Sequence, residues 1–194
     1  MKEDLSKTYV TEKTAVHNPA VHKESHREAI MKIALSGIMA AFIIVATQLR
    51  IPTGIGYANL GDGVILFSAS ILGPITFFPA AIGSAVADLL AGYPIYVPAT
   101  FLIKGMMGLV SGKILHREDL TIMRKIAAFS LAESIMIAGY FAYESLPFMY
   151  GIKAAAGSVI PNLAQAAVGI ALALLLISLL GRFRMNIRSK LFAK

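Results

Sequence analysis

Apolar residues in this chain come in blocks of membrane-crossing length, with polar and basic residues gathered between them. The first block runs from about Ile30 to Leu49. A second begins near Gly63 and reaches Gly73-Pro74, and a third continues to about Leu90. The Gly92-Tyr93-Pro94 turn separates it from a fourth, about Pro98 to Leu115. A fifth covers about Ile122 to Tyr143, and a sixth about Ala154 to Leu180. A helix rises about 1.5 Å per residue and a hydrocarbon core is about 30 Å thick, so most of these blocks predict a transmembrane helix. The second is the exception, because Gly63 to Leu72 covers only roughly 15 Å. It is either part of one broken span with the third block, or a short helix whose connection dips into the membrane.

Charge decides between these two. Six spans with an internal N-terminus put all but three of the 18 Lys and Arg residues on the cytoplasmic side; Arg50 and Lys153 fall outside and Lys104 is buried. Five spans would move Lys113, Arg117, Arg124, Lys125 and the basic residues after 181 outside. The positive-inside rule therefore predicts an all-α integral membrane protein with six transmembrane helices and both termini cytoplasmic. The corresponding division is a polar, flexible tail over 1–29, a membrane domain over 30–181 and a basic tail over 182–194. The Gly- and Pro-rich loop from Arg50 to Gly61 is then extracellular, where it can form a wall or lid of an outward cavity.

Composition agrees with this picture and narrows the chemistry. The chain is 57% hydrophobic and 15% charged, with a mean hydropathy of +0.70, whereas soluble domains carry about 25% charged residues. The absence of cysteine excludes disulfides, thiol nucleophiles and thiolate metal sites. A net charge of +7 reads as cytoplasmic flanking charge and not as a nucleic-acid surface, because the basic residues border apolar spans. The polar start of the chain has no apolar core of the kind a secretory signal needs. GLVSGK (Gly108 to Lys113) lacks Walker A spacing, GIGYANLG follows no strand, and His22 and His26 have no zinc-motif context. No catalytic constellation, metal site or cofactor is expected.

Polar residues inside the spans are the candidate functional residues, since an ionisable group in hydrocarbon costs about 2.5–3.5 kcal/mol on insertion scales. Asp88 and Lys104 lie at similar depths in the third and fourth spans, so they are expected to pair and staple that hairpin, unless Lys104 faces a ligand instead. Glu133, Ile137, Tyr140 and Glu144 share one stripe of the fifth span. Glu133 falls mid-membrane and needs a partner or a watered site; Tyr140 and Glu144 lie nearer the outside, where they could stack on and hydrogen-bond a flat polar ligand. Asn162 and Gln165 lie three apart behind Pro161 at the outer end of the sixth span. Their uncharged donors and acceptors suit a heteroaromatic ring or, alternatively, bonds between helices. Ser36 and Ala40, with Gly37 and Ala41, place small residues four apart on the first span, as a packing face within the protein or for a partner subunit.

These spans, the small-residue patch and the run LGD…LGP…GSAVADLLAGYPIYVPATFLIKGMMG resemble the substrate-binding S component of energy-coupling factor (ECF) vitamin transporters. The resemblance covers about Ile30 to Leu180 and is strongest to the riboflavin-transporter-type S family, in its hydroxymethylpyrimidine and pyridoxine branch. It implies a non-enzymatic subunit of a bacterial plasma membrane that binds a scarce vitamin from outside. Such a subunit docks on a transmembrane coupling (T) subunit carried by two ABC ATPases, and topples to release its cargo inside. By the same resemblance, Ser36, Gly37, Ala40 and Ala41 contact the coupling subunit, although the family usually has alanine at both motif positions. The implied ligand contacts are Tyr57, Asn59, Lys104, Tyr140, Asn162 and Gln165, to which the mid-membrane Glu133 is added. Riboflavin and pantothenate are alternative cargoes. A self-sufficient secondary transporter using Glu133 and Asp88 is the rival mechanism, though the inverted repeats that would support it are not visible.

Overall fold

The computed structural model describes residues 19–52, 57–115 and 120–192, with side chains from His26 onward except at 51, 52, 57, 58 and 192. The tail up to residue 18, the first loop over 53–56, the connection over 116–119 and residues 193–194 lie outside the described residues. The helices are α1 (Pro19–Gln48), α2 (Gly61–Leu72), α3 (Phe77–Leu90), α4 (Val97–Leu115), α5 (Ile122–Glu144), α6 (Ile152–Leu179) and α7 (Gly181–Phe192). Between α1 and α2 a small antiparallel ribbon pairs β1 (Arg50–Pro52) with β2 (Tyr57–Asn59), Arg50 standing opposite Asn59. This ribbon was not foreseen. Two other differences concern the expected tails. Helix α1 begins at Pro19, inside the stretch read as polar tail, and the stretch read as basic tail is helical as far as Phe192, in α7.

Among the described residues, five stretches are long and apolar enough to cross a membrane: His26–Gln48, Gly61–Leu90, Pro94–Leu115, Ile122–Glu144 and Ile152–Leu179. The second stretch is folded back on itself. Its start lies at the C-terminal end of α1, where Thr47 borders Gly61. Its far end returns to the same place, where Gln48 Nε2 donates to the Ala87 carbonyl at 2.8 Å. The bend is the 3-10 turn Gly73–Thr76, at the opposite end of the bundle. Gly73 closes α2 at φ 62°, a conformation that glycine adopts without the Cβ clash of other residues. Pro74 then opens the turn with its fixed φ and no N–H to leave unpaired.

Helix α2 is the axis of the molecule. All of its twelve residues except Val64 are buried, and it packs on α1, α4 and α6. A helix apolar on every side belongs inside, so α2 can be short because protein, not lipid, surrounds its ends. Its Ile65, Leu66, Ile71 and Leu72 join Ile43, Met107, Phe129 and Met136 in the core. Helix α4 packs along α3 and on the Gly73–Thr76 turn, and it presents glycines to that turn. A Cβ on Gly112 would overlap the Gly73 carbonyl, and one on Gly108 would sit 2.7 Å from the Thr76 oxygen. This is the close backbone approach that small residues permit in lipid.

Helix α7 docks under the bundle through Arg188 and Leu191, both buried. Arg188 Nη1 donates to the Leu115 carbonyl at 2.9 Å and to the Ser70 carbonyl at 3.3 Å. It thereby satisfies acceptors at the C-terminal ends of α4 and α2, which have no partner within their own helices.

Candidate ligand-binding site

At the end of the bundle where α1 finishes, a cavity of about 290 Å³ opens among α3, α4, α5, α6 and the loop strand β2. Its position follows from the fold. Helix α2 starts here, the 3-10 turn Pro94–Tyr96 sets back the mouth of α4, and Pro161 lies in the wall given by α6. The α6 wall also carries Asn162, Gln165 and Ser158; α5 gives Tyr140 and Glu144; α4 gives Thr100 and Lys104. Asn59 enters from β2, Thr47 from α1, and Ser84 and Asp88 from α3. Tyr93, Tyr96 and Tyr150, all on turns, complete the lining.

The predicted residues fall into this arrangement unevenly. Asn59, Lys104, Tyr140, Asn162 and Gln165 meet on one cavity surface. The side chain of Tyr57 lies outside the described residues; its backbone pairs with Pro52 in the ribbon. Glu133 does not line the cavity. It is buried two helical turns further along α5, with 2% of its surface exposed, and both carboxyl oxygens lack a hydrogen-bond partner among the described residues. Gly169 makes room for it: a Cβ there would stand 2.7 Å from Glu133 Oε1 and 3.0 Å from Asp62 Cβ.

The expected Asp88–Lys104 pair is corrected. Lys104 Nζ instead binds Asp62 Oδ1 at 2.5 Å, with both residues buried. Asp62 sits in the first turn of α2, a central helix that packs directly on α4, and this brings its carboxylate onto the lysine. The Tyr140 ring lies 5.4 Å from the ammonium, close enough for a cation–π contact. Asp62 Oδ2 accepts from Gln165 Nε2 at 2.7 Å, and Gln165 Oε1 accepts from Asn59 Nδ2 at 2.8 Å. Asn59 Oδ1 in turn accepts from the Gly61 backbone at 2.9 Å. A continuous chain of bonds thus runs from the loop strand through α6 and α2 to the lysine.

A second network holds the aromatic side. Glu144 accepts from the Tyr96 hydroxyl at 3.0 Å and from Ser158. Thr100 and Tyr140 share a 2.9 Å bond. Tyr96 packs tilted on Tyr140 at 6.3 Å and edge-on to Tyr93 at the same distance. Arg50 stands 5.9 Å from the Tyr93 ring at the mouth. The three turn tyrosines were missed in the sequence because no periodicity marks a turn residue; the aromatic residues of GYPIY between two spans were the available signal.

The small-residue patch on α1 splits between two environments. The Ala40 carbonyl lies against Gly83 of α3, whereas Gly37 and Ala41 are exposed, and a Cβ on Gly37 would meet nothing within 4 Å. Ser36 Oγ is buried without a hydrogen-bond partner among the described residues. Among the described residues, no group of three His, Asp or Glu side chains converges as a metal site.

Two comparisons bear on what the cavity is for. The family described as "ECF-type riboflavin transporter, S component" matches residues 27–182. A protein of Pyrococcus woesei described as "Uncharacterized protein in gap 3'region" is 31% identical over 124 residues, covering 63% of this chain and 81% of the relative.

Proposed function

The chain belongs to the S-component family of ECF-type riboflavin transporters, and on that premise we propose that it is the vitamin-binding membrane subunit of an ECF-type ABC importer, with hydroxymethylpyrimidine or pyridoxine as its cargo. The observation that carries this reading is the cavity. It gathers carboxamides, hydroxyls and aromatic rings at one end of an apolar bundle. Its volume of about 290 Å³ falls at the small end of ligand pockets, about 300–1,000 Å³. That suits a single substituted ring better than a three-ring flavin with its sugar chain.

Orientation follows from charge. Arg27, Lys32, Lys113, Arg124 and Lys125 lie at the bundle end opposite the cavity, together with α7. By the positive-inside rule that end is cytoplasmic and the cavity opens outward. Helices α1 to α6 then cross the plasma membrane six times in alternating direction, with α2 and α3 as two crossings joined at Gly73. Both the fold-back at the Gln48–Ala87 bond and the sheltered position of α2 support this topology.

Energy comes from partners: a transmembrane coupling subunit and two ABC ATPases. The exposed, side-chain-poor strip at Gly37 and Ala41 is the docking face for the coupling subunit, with Ser36 and Ala40 at its edge against α3. Reconstitution tests the whole reading. Vesicles holding this chain with its coupling subunit and ATPases should import the vitamin only with internal ATP, and vesicles holding the chain alone should bind but not import. Import by the chain alone would favour a self-sufficient transporter, in which the buried carboxyl of Glu133 would carry protons.

A further inference from the structure

Most polar side chains on the cavity wall are already engaged. Lys104 is held by Asp62, Gln165 by Asn59 and Asp62, Thr100 by Tyr140, and Tyr96 and Ser158 by Glu144. The wall supplied by α3 is different. Ser84 Oγ and Asp88 Oδ2 are both buried and lack a hydrogen-bond partner among the described residues. They lie four residues apart, hence on one face of α3, and both line the cavity. Ser84 is only 2% exposed. Buried polar atoms nearly always have partners, so two vacant ones on the same strip of a cavity call for an explanation.

We propose that Ser84 and Asp88 are the polar anchor for the ligand, and that they select a flat ring carrying a protonated ring nitrogen or an amino group. This rests on the vitamin-binding reading and narrows it. A carboxylate is an acceptor only, and a hydroxyl next to it both donates and accepts, so the strip wants a donor. An anionic ligand finds no free cation on the wall: Lys104 is the one lining lysine among the described residues, and it is bound to Asp62. The lining carboxylates, Asp88 and Glu144, outnumber it. The faces of Tyr93, Tyr96 and Tyr140 add a surface on which a cationic ring is attracted. An aminopyrimidine can present a ring N–H and an exocyclic N–H side by side, two donors for the two vacant acceptors, Asp88 Oδ2 and Ser84 Oγ. The opposite walls, with Asn162 and Glu144, then read the remaining substituents.

Calorimetry on the full purified chain tests this with four probes: hydroxymethylpyrimidine, pyridoxine, riboflavin and pantothenate. The first two carry a basic ring nitrogen and are expected to bind. Asp88→Asn should weaken hydroxymethylpyrimidine at least tenfold and Ser84→Ala several-fold, while neither lowers the melting temperature of the ligand-free protein. That last readout separates an anchor from a structural role, since a residue stapling helices would lose stability when replaced. Tightest binding of riboflavin or pantothenate, unchanged affinity in Asp88→Asn, or a melting temperature that falls with it would each overturn the inference. The S-component reading fails by a different result, namely no association with the coupling subunit in a pull-down, so the two failures are distinguishable.

Discussion

Replacing Lys104 by Met should be the most damaging single change in the membrane domain. Lys104 and Asp62 are 5% and 1% exposed, and their contact is 2.5 Å. Methionine keeps the length of the side chain but removes the ammonium. Asp62 then keeps the Gln165 amide at 2.7 Å as its side-chain donor among the described residues. Removing one partner of a buried ion pair costs about 3–5 kcal/mol, because the survivor stays desolvated without compensation. For a protein of this length 1 kcal/mol moves the melting temperature by about 2–4 °C, so a loss of roughly 6–20 °C is expected. Thermal unfolding in detergent, followed by circular dichroism, measures it. Asp62→Asn alone should also destabilise, and the Asp62→Asn/Lys104→Met double variant should recover most of the loss, giving a coupling energy of at least about 2 kcal/mol. Asp88→Asn serves as the contrast, since Asp88 makes no ion pair with Lys104. Equal destabilisation by Asp88→Asn and Asp62→Asn, or a shift below about 1 kcal/mol for Lys104→Met, would refute the assignment of the pair.

Three further changes probe the site, the docking face and the fold. Asn162→Ala should weaken vitamin binding at least tenfold, about 1.4 kcal/mol; calorimetry showing unchanged affinity would remove Asn162 from the site. Ala41→Leu should leave binding intact, since the residue is exposed and far from the cavity, yet abolish ATP-driven uptake through lost docking; normal uptake would contradict the docking role. Gly112→Ala places a Cβ on the Gly73 carbonyl, a backbone group that cannot swing aside. A loss of about 1–3 kcal/mol is expected from such overpacking, and an unchanged melting temperature would argue against this close approach.

Helix boundaries were legible where composition changes abruptly. The blocks ending at Leu90 and Leu115 and the one starting at Ile122 agree with the helices found, because Gly92, Pro94 and the charged connection after Leu115 interrupt the apolar runs. The tails were harder, since α1 and α7 extend into polar sequence that carries no hydrophobic signal. Within the site, the stripe containing Tyr140 and the pair Asn162 and Gln165 could be read from helical spacing. The partner of Lys104 could not. Depth along two adjacent spans pointed to Asp88, whereas the real partner comes from a helix whose central position depends on long-range packing. Asp62 was visible as the other carboxylate in the same run, but nothing local says which face of which helix will meet a given lysine. Tyr93, Tyr96 and Tyr150 were lost for the simpler reason that they sit in turns.

The contact made by Arg188 has a bearing on how the protein is made. Its guanidinium reaches acceptors 118 and 73 positions earlier in the chain. During synthesis, α2 and α4 therefore leave the ribosome, enter the bilayer and pack long before their terminal carbonyls acquire this donor. Until α7 emerges, those ends must be served by water at the membrane surface. Biogenesis thus runs in two stages, insertion of the helices first and locking of their inner ends afterwards, and a nascent chain halted before Arg188 should remain open to proteases at the Ser70–Gly73 bend.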